Sequence, residues 1–178
     1  MIAIGEQKPM PHRATRDGAQ MFDLPRFLEG QTHAWGVFQD RFGRVRNRFT
    51  VEMEGRWEGT RFQLNEAFAY DDGRSETRVW SVTAAVDGQF EASCADCIGR
   101  AKGRLEAGFS RMSYTFRLKL PSRTLDVTFD DRIFPMSADT AVNRAIMRKW
   151  GIKLGELWVF FQRGPLPRGG RGGFRSWQ

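Results

Sequence analysis

An all-β fold, an antiparallel up-and-down barrel of about eight to ten strands behind a short N-terminal helix, is what this 178-residue sequence predicts. Three observations carry that expectation. Long stretches alternate apolar and polar residues with a period of two, as half-buried strands do. The breaks between them are two or three residues long and contain Gly at the position that needs a left-handed backbone, as in Arg41-Phe42-Gly43, Asp71-Asp72-Gly73 and Val86-Asp87-Gly88. Fifteen Phe and six Trp against two Tyr supply large apolar groups suited to strands and to a lined interior.

Residues 1–21 lack apolar periodicity and carry Pro9 and Pro11, which reads as a flexible arm. Phe22–Gly30 follows as a short helix, with Asp23 as N-cap, Pro25 in the first turn and Gly30 after the last. Strands are expected at Thr32–Asp40 and Arg44–Trp57. In the second, Val45, Asn47, Phe49, Val51 and Met53 face one way and the arginines the other. A Glu58-Gly59 turn leads into Thr60–Tyr70 and would pair Met53 with Leu64 and Val51 with Glu66.

Counting across the next two loops pairs Glu66 with Arg78, Leu64 with Trp80, and Arg78 with Asp96. The row Glu66, Arg78, Asp96 thus stands on an otherwise apolar inner face. A two-residue Asp87-Gly88 turn would instead bring Cys97 to that position. Gly99, Gly103 and Gly108 interrupt the alternation where a sheet must bulge or bend to close. Phe109–Leu120 and Thr124–Phe134 resume it and place Tyr114 and Asp131 inward. Ala138–Trp150 fits a helical stripe after a Ser137 or Asp139 cap, while its β-branched residues and flanking strands permit a strand, and Leu154–Gln162 is a strand apolar on both faces.

One domain over residues 22–163 accounts for the patterned region, followed by an Arg/Gly-rich tail, 164–178, read as disordered. The net charge is +7, but four arginines from Arg163 onward and the first 21 residues hold most of it, leaving about +2 for residues 22–162. No stretch of about 20 apolar residues and no charged-then-apolar leader is present, so the expected location is cytoplasmic. With His12 and His33 the only histidines, a histidine metal site or a Ser-His triad is all but excluded, and no metal or cofactor is expected.

Phe22-Asp23-Leu24, Ala34-Trp35-Gly36, Gly55-Arg56-Trp57-Glu58-Gly59, Tyr70-Asp71-Asp72-Gly73, Arg78-Val79-Trp80, Phe129-Asp130-Asp131, Asn143-Arg144 and Gly155-Glu156 together resemble an uncharacterised bacterial family, domain of unknown function thirty-eight thirty-three. The resemblance runs from about Phe22 to Arg163. It implies a lipocalin-like barrel and no established activity. Many members look like small lipoproteins, and this chain departs from them in lacking the leader and its cysteine. Where members carry two adjacent acids, it has Asp96 followed by Cys97.

Glu66, Arg78, Asp96, Trp80, Tyr114, Asp131 and Asn47 are the candidate ligand-binding residues. A guanidinium between two carboxylates can orient a bound molecule, and it can equally be a buried ion network that sets strand register. Cys94-Ala95-Asp96-Cys97 is a lone C-x-x-C, expected on a strand with its thiols on opposite faces and therefore inert. Asn143, Arg144 and Lys149 read as a solvated face. The Arg-Gly-Gly units of the tail are too few to make nucleic acid an expected partner.

The expected function is binding or carriage of a small hydrophobic, lipid-like molecule whose anionic head meets Arg78. An isomerase or cyclase using Glu66 or Asp96 is one alternative, and a structural or interaction module with a filled barrel is another. Peripheral membrane contact stays open, and the pattern does not specify an oligomeric state.

Overall fold

The computed structural model describes residues 12–14, 20–120 and 122–164, with side chains from residue 21 onward. A short ribbon, β1 (His12–Ala14) and β2 (Gln20–Phe22), occupies part of the expected arm, and α1 (Leu24–Phe27) follows it. The rest of that arm and the tail from residue 165 lie outside the described residues. β3 (Gly30–Asp40), β4 (Val45–Glu58), β5 (Arg61–Tyr70), β6 (Ser75–Thr83), β7 (Gln89–Ser93), β8 (Cys97–Glu106), β9 (Phe109–Leu120), β10 (Arg123–Pro135), β11 (Thr140–Lys149) and β12 (Ile152–Arg163) then run up and down in chain order. Each pairs with the next, and β12 returns to pair antiparallel with β3, which closes the barrel and removes its edges. The fold is the antiparallel up-and-down barrel that the alternation predicted, and the lipocalin-like barrel that the resemblance implied.

The helix forms where the capping residues require it. Asp23 accepts a hydrogen bond from the Arg26 backbone N–H, and Pro25 occupies the first turn. Phe22, Leu24, Phe27 and Leu28 are buried, so α1 seals one end of the barrel. Ser110 Oγ donates to the Phe22 carbonyl at 2.6 Å and holds the incoming chain. The fit is close: a Cβ on Gly55 would lie 2.1 Å from the Leu28 carbonyl oxygen. Call this end the base. The β3–β4, β5–β6, β7–β8, β9–β10 and β11–β12 turns all lie at the other end, the mouth.

Several expectations need correction. The β4–β5 turn is Gly59-Thr60, with Gly59 at φ +61°, so Met53 pairs with Glu66 and Val51 with Phe68. The register moves by two residues, which leaves every side chain on its expected face. Within Ala138–Trp150, left open between helix and strand, Thr140–Lys149 is strand: β10 and β12 flank it, and closure demands a ladder there. At the β6–β7 connection Asp87 and Gly88, both with positive φ, form a two-residue turn. Between β8 and β9 the register shifts after Ile98, and Gly99 takes φ +74°, the bulge the glycine spacing predicted.

Candidate functional site

The barrel encloses a cavity of about 510 Å³, within the usual range for small-molecule sites. Leu24 and Leu28 form its floor, and Leu118, Lys119, Leu120 and Leu125 stand at the mouth end. In between, inward Phe, Met, Leu and Val residues from the strands make most of the wall, a consequence of the period-two pattern. This is a cavity able to hold a small hydrophobic molecule.

Two polar groups interrupt the wall. The first centres on Arg78, whose expected pairing with Glu66 across β5–β6 is present. Arg78 Nη1 is 3.8 Å from Glu66 Oε2, and Nη2 pairs with Glu76 on its own strand. The guanidinium lies between two rings, 4.8 Å from the Phe68 centroid and 4.6 Å from that of Phe116. Trp80 Nε1 donates to Glu66 Oε2 at 3.2 Å. Burial pushes the Glu66 carboxyl above its ordinary range, with Arg78 and Trp80 pulling the other way.

Asp96 does not complete the row. The β6–β7 ladder has the predicted register but only two pairs, Ser81 with Ser93 and Val82 with Ala92. The chain turns at Cys94–Cys97, where Cys97 N–H donates to the Cys94 carbonyl, before Asp96 can reach the level of Arg78. Asp96 therefore projects to the mouth, where its carboxylate meets Lys119 at 2.7 Å. The two thiols, expected on opposite faces of a strand, interact across this turn. The Cys97 thiol, donating to Cys94 sulfur, and the positive field of Arg78 hold Cys94 below its ordinary range.

The second polar group is Asp131, Asn143 and Tyr114, inward on β10, β11 and β9. Asp131 pairs with Met112 and Ala145, and Asn143 with Ile133, so the two sit diagonally on neighbouring strands. Asp131 is 5% exposed, and burial pushes it up to about 7 while nearby Tyr114 and Asn143 favour its ionised form. Asp131 Oδ1 and Asn143 Oδ1 are both buried acceptors with no hydrogen-bond partner in the protein. The Tyr114 ring meets Trp80 edge-on at 5.3 Å and stacks on Phe129 at 5.3 Å, and burial holds its phenol neutral.

All seven candidate residues thus line the cavity, Glu66, Arg78, Trp80, Tyr114, Asp131 and half-buried Asn47 on β4 along its wall and Asp96 at its mouth. Asn143 belongs with them, contrary to the solvated face expected for it. Its signal was the alternation Ala141, Asn143, Ala145, Met147, which the helix alternative obscured. Arg144 does point outward, to Glu156 and the Trp158 ring. Glu76 was missed because it neighbours Arg78 along one strand, and pairing arithmetic looks only across strands.

Deep in the cavity Glu66 and Asp131 stand with Arg78, which Glu66 and Glu76 engage, and Arg74, Asp96, Arg117 and Lys119 line it towards the mouth. Of the buried side-chain polar atoms without a partner among the described residues, Thr32 Oγ1 lies outside the cavity lining, and the two in the lining, Asp131 Oδ1 and Asn143 Oδ1, are acceptors. Among the described residues no cluster of three or more His, Cys, Asp or Glu could hold a metal ion.

The family model described as "Protein of unknown function (DUF3833)" matches residues 2–163. No curated protein matches the sequence. Among solved structures, an S-type phycobiliprotein lyase from Guillardia theta superposes with a TM-score of 0.61 at 6% identity, over 79% of this chain and 90% of that one. A redesigned β-barrel bound to DFHBI aligns over 78% of this chain and 97% of that one, at 13% identity and a TM-score of 0.41.

Proposed function

The chain belongs to the DUF3833 family, and from that premise we propose that its barrel binds a lipid-like molecule whose polar end donates hydrogen bonds, such as a long-chain alcohol or amine. One observation carries the reading: an apolar cavity whose unpartnered polar atoms, Asp131 Oδ1 and Asn143 Oδ1, are both acceptors. A hydroxyl or ammonium group near them would supply what the wall lacks, while a carboxylate would add a third negative group beside Glu66 and Asp131. The apolar body of the ligand would lie against the aromatic wall towards the mouth.

Trp80 reports on occupancy, since its indole forms part of the wall. Titration with dodecanol, dodecylamine and dodecanoate at pH 8, followed by Trp fluorescence, should give saturable binding of the alcohol or amine and weaker binding of the carboxylate. Tighter binding of dodecanoate, or no saturable change with any of the three, would overturn the reading.

A second reading, an enzyme, draws on a different observation. Asp131, pushed to about 7 in an apolar cavity beside Tyr114, is poised to exchange a proton with a bound molecule near neutral pH. In this reading Asp131 takes the role expected of Asp96. Chemical conversion of a co-purified ligand, abolished in Asp131→Asn with binding retained, separates enzyme from carrier.

A further inference from the structure

At the mouth, three consecutive turns around the rim share one chemistry. Trp150 and Gly151 join β11 to β12 with φ of +51° and +79°, a two-residue turn whose first position suits Asn or Gly. A bulky aromatic residue there is strained, and Trp150 is 88% exposed, so packing does not account for its presence. Phe42, 71% exposed, stands in the β3–β4 turn. The two turns are neighbours: Arg41 N–H donates to the Leu154 carbonyl at 2.9 Å. Each aromatic tip carries a cation over its ring, Lys149 Nζ at 4.6 Å from Trp150 and Arg41 Cζ at 4.7 Å from Phe42. Leu120, 40% exposed, extends the apolar line along the β9–β10 connection.

Charge follows the same arc. Residues 40–46 hold three arginines against Asp40, residues 148–153 hold three cations and no acid, and residues 119–123 hold two and no acid. Residues 22–162 carry only about +2 in all, so the rest of the barrel is net acidic. The other two mouth turns contribute Asp71, Asp72 and Asp96 against Arg74, with Asp96 reaching Lys119 of the arc, which leaves the mouth's far side net acidic. At the base, exposed Val86 and Met136 neighbour Asp87 and Asp139 rather than cations.

We infer that this arc, with Trp150 and Phe42 at its tips, docks the mouth of the barrel on an anionic phospholipid bilayer. Trp favours the bilayer interface, where its ring is buried and its N–H is solvated, and the surrounding cations meet the negative surface potential. The docked orientation turns the cavity opening towards the lipid, which deepens the lipid-binding reading. The docking itself rests on the rim residues and stands without that reading.

The experiment is co-sedimentation with vesicles of phosphatidylcholine and phosphatidylserine in equal parts, against vesicles of phosphatidylcholine alone, for the wild type and for Phe42→Ser/Trp150→Asn. Asn accepts the left-handed position, so the double variant keeps the hairpin. The wild type should bind the anionic vesicles, release from them as salt rises, and lose affinity by roughly tenfold or more in the variant. Absence of wild-type binding, or equal binding by the variant, overturns the inference. So does equal binding to polyglutamate and vesicles, which would mark a surface for acidic polymers. Dodecylamine titration of the same variant without vesicles keeps the two readings apart, since it should match the wild type whether or not docking occurs.

Discussion

Arg78 faces Glu66 across β5 and β6 at 3.8 Å, yet its nearer carboxylate is Glu76, two residues away on its own strand. The side chains of Arg78 and Glu66 are 19% and 13% exposed, so removing one charge strands the other in a poorly solvated place. Arg78→Met should cost about 3 kcal/mol in urea unfolding at pH 8 and less at pH 5, where Glu66 can take up a proton. Glu66→Gln/Arg78→Met should recover most of that loss. A double variant as unstable as the single one would show that ring stacking, and not charge, is what Arg78 supplies.

Asp131 makes stability fall with pH. Its carboxyl rises from 3.8 in the unfolded chain to about 7 in the fold, so between those values the folded protein holds a proton that the unfolded chain has released. The contribution is full below about pH 4 and is lost as pH climbs through about 7, a swing on the order of 4 kcal/mol at most. Asp131→Asn removes the swing. Its melting temperature should exceed that of the wild type at pH 8, by about 2–4 °C per kcal/mol relieved, and converge on it at pH 4. A difference that does not change with pH would refute this account.

Gly55 is where the helix touches the sheet. A Cβ there would lie 2.1 Å from the Leu28 carbonyl oxygen and 2.4 Å from Phe62 Cζ, and the first of these is backbone that cannot rotate away. Gly55→Ala should cost about 2–3 kcal/mol and loosen the plug. A hydrophobic dye entering from the base should then reach the cavity faster than in the wild type. Unchanged thermal stability would mean that α1 shifts freely.

Cys94 should react before Cys97. The thiol of Cys97 and the charge of Arg78 favour the Cys94 thiolate, and both residues are only half-buried. Iodoacetamide labelling followed by peptide mass spectrometry should find Cys94 modified first, and more slowly in Arg78→Met. Preferential labelling of Cys97 would show the hydrogen bond to run the other way.

The amino-acid pattern alone specified the barrel and most of its lining. Period two assigns each strand an inner and an outer face, and a register error of two, as at Gly59-Thr60, leaves both faces intact; that is why Glu66, Arg78, Trp80, Tyr114 and Asp131 were legible as inward residues. The Asp71-Asp72-Gly73 loop was short enough for its turn type to settle the Glu66 and Arg78 pairing. Three matters were decided only by the closed structure. Asp96 stands at the mouth of the cavity and not beside Arg78 because the β6–β7 ladder stops after two pairs, and local counting assumes that a ladder continues. Asn143 was gained because barrel closure requires a strand where the sequence allowed a helix. The meeting of Trp150 and Phe42 at one rim depends on β12 returning to β3, a contact between residues more than a hundred positions apart that no local periodicity contains.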